Sequence, residues 1–95
     1  IVTVNVEIDP PEVTHRVEPR YTEGARFAKI QGVVILDLVI DTDGQVESIQ
    51  VLRELPLGLT RSAVEAVGQW RFRPSTYKGR PVAVRYILTV RFTLV

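Results

Sequence analysis

The residues that could carry out chemistry are few and poorly spaced for it. His15 is the only histidine, and Glu12 and Glu18 lie three residues away on either side. In an extended stretch flanked by prolines, this spacing does not converge on a metal ion. The chain has no cysteine, which removes thiolate metal sites, cysteine nucleophiles and disulfides together. The serines at 48, 62 and 75 lie outside any nucleophile-elbow pattern, and one histidine does not complete a triad.

Asp41-Thr42-Asp43-Gly44 opens like a calcium-binding loop, but the positions that follow do not fit one. Val46 stands where such a loop requires glycine, and Leu52 stands where it ends in glutamate. A tight turn, in which aspartate side chains bond local amides, explains the segment better. Glycine-rich phosphate loops are absent. The sequence therefore predicts no enzymatic activity, no metal site and no cofactor.

Length and composition predict one small globular domain. The 95 residues are 45% hydrophobic and 24% charged, which is close to the globular average. A chain of this size buries about 60–65% of its unfolded surface, so a binding surface is easier to build than a deep cleft. The chain opens on Ile1 and contains no methionine, from which we expect a segment of a longer protein.

The charge distribution is asymmetric although the net charge is only +1. Residues 1–50 carry four Arg or Lys against nine Asp or Glu, and residues 51–95 carry eight against two. The basic half is a candidate for contact with nucleic acid, but its arginines are scattered and the isoelectric point of about 8.4 is below the usual range. We expect no nucleic-acid binding.

The spacing of apolar residues predicts a strand and a short helix in the first thirty residues. Residues 1–8 alternate between apolar and polar, which predicts a half-buried strand, and an extended connector follows to Arg20. Thr22 is placed to cap a short helix over Glu23–Ile30, with an apolar side that faces inward. That side is formed by Ala25, Phe27, Ala28 and Ile30.

A hairpin and a second helix come next. The run over residues 33–40, with apolar residues at every even position, predicts a strand that turns at 41–44 and returns over Gln45–Leu52 with a bulge near Ser48. Helical spacing then runs over Leu59–Trp70, and the helix must end near Phe72 because Arg73 precedes a proline. Thr60 is the expected N-cap, with Ser62-x-x-Glu65 as a competing capping pattern.

The last fourteen residues show the strongest alternation in the chain, with Val84, Tyr86 and Leu88 on one face and Arg85 and Thr89 on the other. A strand of this length exceeds the hairpin strands, so part of it should lack a partner and form an open edge. Such an edge is suited to strand addition, in which backbone hydrogen bonds give affinity and side-chain pockets give selectivity.

The element order predicts an α+β domain. We expect a small antiparallel sheet of about three strands, with a fourth available from the N-terminal segment, packed against one main helix and one short helix.

An ordered set of short motifs resembles the C-terminal domain of the TonB family. The resemblance runs from Pro19 to Val95 and rests on residues distributed along all the predicted elements. They are Pro19-x-Tyr21, Ala25-Arg26, Gly32-x-Val34, Ile40-Asp41-x-Asp43-Gly44-x-Val46, Val51-Leu52, Leu59 with Ala63, Trp70-x-Phe72-x-Pro74, Gly79-x-Pro81-Val82 and Val90-x-Phe92-x-Leu94. Residues 1–18 are then an N-terminal strand and connector, and residues 19–95 are the TonB-like domain.

The resemblance implies a periplasmic domain of an energy transducer that is anchored in the inner membrane. Such domains bind the TonB box, a short segment of outer-membrane receptors for siderophores and vitamins, as a strand added beside their last strand. An ExbB and ExbD motor acts through the anchor. Carried over to this chain, the receptor-contacting residues are those of the final strand together with Tyr21. They are Val84, Arg85, Tyr86, Ile87, Leu88, Thr89, Val90, Arg91 and Tyr21.

Two features depart from the family pattern. Thr22 follows Tyr21 where the family usually has proline, and residues 1–8 form a strand where the family often has linker. That strand is able to join the sheet, to cover the binding edge, or to exchange between two copies in a homodimer. The alternative function is therefore an assembly module that associates with itself by strand pairing and takes no part in transport.

Overall fold

The described part of the chain folds into three β-sheets and two helices. A computed structural model describes residues 2–3 and 8–94, and the side chains of 8–94. In chain order the elements are β1 (Val2–Thr3), β2 (Glu12–His15), α1 (Glu23–Phe27), β3 (Gly32–Ile40), β4 (Val46–Arg53), α2 (Leu59–Val67), β5 (Arg71–Arg73), β6 (Ser75–Tyr77), β7 (Arg80–Val82) and β8 (Val84–Phe92).

The central sheet has four strands in the order β1-β8-β3-β4. β3 pairs antiparallel with β4 on one side and with β8 on the other, while β1 pairs parallel with β8. Two small antiparallel sheets, β2 with β5 and β6 with β7, flank it. The predicted α+β class, with a three-stranded antiparallel sheet and a fourth N-terminal strand, is confirmed.

The core lies between α2 and one face of the central sheet, which we call the inner face. The apolar even-numbered residues of β3 are fully enclosed, and so are three apolar residues of α2, whereas Val64 of α2 is only partly buried. Burying a Leu or Val side chain in this way contributes about 1.5–3 kcal/mol. The enclosed residues of these two elements are Val34, Leu36, Leu38, Ile40, Leu59, Ala63 and Val67.

The turn between β3 and β4 forms as predicted. Asp41 Oδ1 accepts hydrogen bonds from the backbone amides of Asp43 and Gln45, both at 2.9 Å, so this carboxylate serves the turn. Gly44 adopts a left-handed φ of 82°. The Phe72 amide donates to the Gly44 carbonyl at 2.8 Å, which ties the turn to β5.

The short helix α1 is capped as predicted but is shorter than expected. Thr22 Oγ1 accepts a hydrogen bond from the Ala25 amide at 3.2 Å. The helix ends at Phe27, because Lys29 takes a φ of 56° and turns the chain toward β3. The prediction that Phe27 and Ala28 face inward is wrong, since the Phe27 side chain is 92% exposed and Ala28 is exposed as well.

The main helix α2 begins differently from the prediction. Gly58, with a φ of 82°, is the N-cap in place of Thr60, whose hydroxyl instead bonds the backbone of Leu55. The competing capping pattern is also wrong, because the Ser62 hydroxyl donates to the Arg20 carbonyl and Glu65 pairs with Arg61.

The segment after α2 is a strand where the spacing indicated more helix. α2 ends at Val67, and residues 71–73 form β5, which pairs with β2 in the predicted connector. Trp70 and Phe72 are buried, and the Trp70 indole donates to the Val17 carbonyl at 2.8 Å. The connector is thereby fastened to the core, and Ile8 is buried in the same core. The domain division at residue 18 stays a prediction.

The final strand is shorter than predicted, and its edge is open for a different reason. Residues 80–82 form β7, so the long strand divides into β7 and β8. Every residue of β8 has a partner in β3, from Val84 opposite Ile40 to Phe92 opposite Gly32. The strand therefore does not overhang its sheet. The backbone groups that lack a partner lie instead along the side of β8 that faces away from β3. On that side the described residues contain only the short strand β1.

Candidate binding edge

The side of β8 that faces away from β3, called the β8 edge, is the candidate site. All nine residues of β8 pair with β3 in continuous register, without a bulge. β1 pairs with this edge at its start, where Val2 lies opposite Val84 and Thr3 lies opposite Arg85. Beyond Arg85, the edge has no strand partner among residues 2–3 and 8–94.

The hydrogen bonds of the turn at Asp41 show which backbone amides and carbonyls of β8 point to this edge. The Asp41 amide donates to the Gln45 carbonyl, and the Asp41 carbonyl accepts from the Gly44 amide, so the polar groups of Asp41 face β4. Successive residues of a strand direct these groups to opposite sides, so the even residues of β3 face β8. They lie opposite the even residues of β8. The polar groups of the odd residues of β8 therefore face the edge.

A hydrogen bond near the C-terminal end of β8 also indicates that the even-numbered amides face β3. The Leu94 amide donates to Gln31 Oε1 at 2.8 Å, toward the β3 side. Leu94 is even-numbered and lies two residues beyond Phe92, the last residue of β8, so even amides face β3 at this end too. Of the odd residues, Arg85 faces β1. Ile87, Thr89 and Arg91 present their amides and carbonyls where the described structure has no strand.

The opposite edge of the sheet is less suited to strand addition. β4 carries two register shifts against β3, one at Glu47 and one at Leu52. Bulges of this kind twist a strand and interrupt its row of hydrogen-bonding groups, which protects an edge from pairing. The regular β8 edge has no such interruption.

The two faces of β8 differ in chemistry. On the outer face, which is the side away from the helices, Ile87 is 56% exposed, and Arg85 Nη1 lies 3.6 Å from Asp37 Oδ2. On the inner face Tyr86 and Leu88 are only half-buried, although they pack against the core. An added strand would cover both of these inner-face side chains.

The structure places the predicted contact residues in two groups. Those of β8 form one continuous edge, although Val84 and Val90 are buried and face inward. Tyr21 lies apart, near the C-terminal end of β8, where its ring meets Phe92 edge-on at 5.6 Å. The Tyr21 hydroxyl donates to the Ile30 carbonyl, and the residue is half-buried.

The feature that sequence reasoning missed is the alternating direction of the backbone amides and carbonyls along β8. Those of Ile87, Thr89 and Arg91 face the edge, whereas those of the even residues face β3. Side-chain alternation indicates which face a residue covers, but the lateral direction of its amide depends on the hydrogen bonds made at the turn. The aspartate-glycine turn at 41–44 was the only signal in the sequence that bears on it.

Comparison with known proteins identifies the family of this chain. Residues 17–94 match the family described as Gram-negative bacterial TonB protein C-terminal. The chain belongs to this family. Protein TonB of Vibrio cholerae is 35% identical over 96 residues, which is 99% of this chain and 39% of that protein. Protein TonB of Xanthomonas campestris is 35% identical over 77 residues, which is 80% of this chain and 34% of that protein.

The fold agrees with the family. The solution NMR structure of the Pseudomonas aeruginosa TonB C-terminal domain superposes with a TM-score of 0.66, covering 100% of this chain and 96% of that one, at 24% identity. The predicted resemblance to the TonB family is thus confirmed. The chain spans well under half the length of the TonB relatives named above. Within residues 2–3 and 8–94, no helix is long and apolar enough to cross a membrane.

Proposed function

We propose that this chain is the periplasmic partner-binding domain of a TonB-type energy transducer. It takes the TonB box of an outer-membrane receptor as a strand added to the β8 edge, and it supports active uptake of nutrients such as siderophores and vitamins. An inner-membrane anchor outside this chain would connect it to an ExbB and ExbD motor. The observation that carries the proposal is the regular β8 edge, along which the backbone groups of Ile87, Thr89 and Arg91 have no strand partner among residues 2–3 and 8–94.

Strand addition at this edge needs no catalytic group. Each backbone hydrogen bond to a peptide contributes a net of about 0.5–1.5 kcal/mol, so several in a row give measurable affinity. The half-buried Tyr86 and Leu88 add apolar contact on the inner face. Selectivity then comes from alternate peptide side chains, which meet the inner face at one position and Ile87 or Arg91 at the next.

The same geometry suits the transmission of force. Ladder hydrogen bonds lie across the strand axis, so a pull along a captured peptide loads all of them together. β8 passes that load to β3 along its whole length, and β3 passes it to β4. The load therefore enters at β8 and reaches β3, the central strand of the three antiparallel strands.

Proline at Thr89 tests the proposed edge. Proline lacks the amide hydrogen and is tolerated in an edge strand where that hydrogen would face outward. Because the Thr89 amide faces the edge, Thr89→Pro should lower the affinity for a synthetic TonB-box peptide at least about tenfold while the fold survives. Isothermal titration measures the affinity, and circular dichroism checks the fold.

Two variants serve as controls. Thr89→Ala changes the side chain but keeps the amide, so it should bind within about twofold of the parent chain. Leu88→Pro removes an amide that faces β3, so it should destabilise the domain by about 3 kcal/mol. Unchanged peptide affinity in a folded Thr89→Pro variant would refute the β8 edge as the binding site.

A further inference from the structure

β1 occupies the first part of the same edge. We propose that β1 acts as an intramolecular competitor, and that a peptide must displace it to use the whole of β8; this inference rests on the proposed function. β1 runs parallel to β8, with Val2 opposite Val84 and Thr3 opposite Arg85. A receptor peptide added as a strand would need the backbone groups at the same positions.

Arg85 is the residue for which β1 and a peptide compete. Its amide and carbonyl face the edge, as do those of Ile87, Thr89 and Arg91. With β1 in place, the edge available to a peptide begins only at Ile87. Without β1, the outward-facing groups of β8 form a longer uninterrupted row that begins at Arg85.

The N-terminal segment is fixed close to the edge that it covers. Ile8 is 6% exposed and belongs to the core. The Asp9 amide donates to the Thr76 carbonyl at 3.1 Å, and the Thr76 hydroxyl donates to Asp9 Oδ2 at 3.1 Å. Thr76 lies in β6, whose hairpin partner β7 leads into β8 after one residue. The anchor of the segment is therefore connected to the start of β8.

This anchoring explains how so short a strand competes. Residues 4–7 alone join Thr3 to the anchored Ile8 in the sequence. A tether of this length gives an effective concentration in the millimolar range, which allows a two-residue strand to pair. The pairing is nevertheless weak, because a strand of two residues makes few ladder bonds. A longer peptide can therefore replace it, with an apparent affinity reduced by the fraction of chains in which the edge is open.

A chain that begins at Ile8 tests the competition. This truncation keeps Ile8 and the Asp9 contacts with Thr76, and it removes β1. Isothermal titration with a synthetic TonB-box peptide should give about threefold to tenfold tighter binding than the full chain. Chemical denaturation and sedimentation check that both chains are folded monomers at the working concentration. Equal or weaker binding by a folded, monomeric truncated chain would overturn the inference.

Val2→Pro in the full chain separates strand pairing from charge. Truncation also removes Glu7, whose charge acts on any charged peptide. The amide and carbonyl of Val84 face β3. The hydrogen bonds between β1 and β8 at this pair are therefore made by the amide and carbonyl of Val2. Proline at position 2 removes the amide hydrogen and with it one donor. Val2→Pro should therefore reproduce most of the gain in affinity that truncation gives. A gain in the truncated chain with none in Val2→Pro would assign the effect to Glu7 and overturn the inference.

Amide exchange followed by NMR gives a readout that needs no peptide. The Arg85 amide should exchange slowly in the full chain and as fast as the Thr89 amide in the truncated chain, while the Leu88 amide stays protected in both. Equal Arg85 exchange in the two chains would show that β1 is not paired.

If Thr89→Pro abolishes binding and truncation changes nothing, the proposed function stands and the competition fails. If no chain binds peptide, the proposed function fails, while Arg85 exchange still reports the β1 pairing.

Discussion

At the scale of single residues, Gly44 joins the central hairpin to the rest of the fold. A Cβ built on Gly44 would lie 1.8 Å from the Phe72 carbonyl oxygen, a backbone atom that cannot move without disturbing β5. The left-handed φ of 82° excludes most other residues as well. The turn is therefore both a reversal of the chain and a docking point for β5.

Gly44→Ala should lower the free energy of unfolding by about 3 kcal/mol, because the left-handed strain and the clash with β5 add together. Gly79 provides the matched control, since its φ of 79° is similar but a Cβ there would meet nothing within 4 Å. Gly79→Ala should cost only about 1 kcal/mol. Urea denaturation of both variants measures the difference, and equal losses would show that the turn is not docked on Phe72.

Single residues were also the scale at which the sequence was most informative. The alternation of β3 identified its buried residues, and Asp41 and Gly44 identified the turn, because both signals depend on local geometry alone. Phe27 was placed wrongly because helical spacing places a residue on a face without saying whether the helix is long enough to bury that face. α1 has only five residues, and its one buried member is Ala25.

At the scale of elements, α1 depends on Thr22. Its hydroxyl accepts from the Ala25 amide and donates to the Leu57 carbonyl at 2.7 Å. A five-residue helix is too short to be stable from its own hydrogen bonds, so the cap and the link to the α2 loop hold it. A Cβ built on Gly58, the N-cap of α2, would lie 3.3 Å from the Thr22 methyl group.

Thr22→Val keeps the shape of the side chain and removes both hydrogen bonds, so it should lower the free energy of unfolding by about 1–2 kcal/mol. Thr22→Ser keeps the hydroxyl and should cost less than about 0.5 kcal/mol. Urea denaturation compares the two variants. If Thr22→Val were as stable as Thr22→Ser, the hydroxyl would not hold α1 in place.

The elements that sequence reasoning missed are those that exist only through tertiary pairing. β2 and β5 are short strands that pair with each other, and neither has a clear periodic pattern of its own. Trp70 and Phe72 continue the apolar spacing of α2, so the sequence extended the helix through them. In the fold they anchor β5 and the connector, because the Trp70 indole has its acceptor in Val17.

At the scale of the whole molecule, the open edge was predicted for the wrong reason. The final strand was expected to overhang its sheet, whereas β8 is paired with β3 throughout, and beyond Arg85 its other side has no strand partner among the described residues. Strand order across a sheet depends on long-range pairing, which periodicity does not encode. The N-terminal strand was left with three alternatives, and the structure pairs Val2 and Thr3 with β8 in the same chain.

The most direct test of the strand-addition account is amide hydrogen exchange along β8, measured by NMR with and without a synthetic TonB-box peptide. A bound peptide should protect the outward-facing amides of Ile87, Thr89 and Arg91. The amides of Leu88 and Val90, which are already bonded to β3, should change little. Protection that falls instead on β4, or no change at Ile87, Thr89 and Arg91 under saturating peptide, would contradict the account.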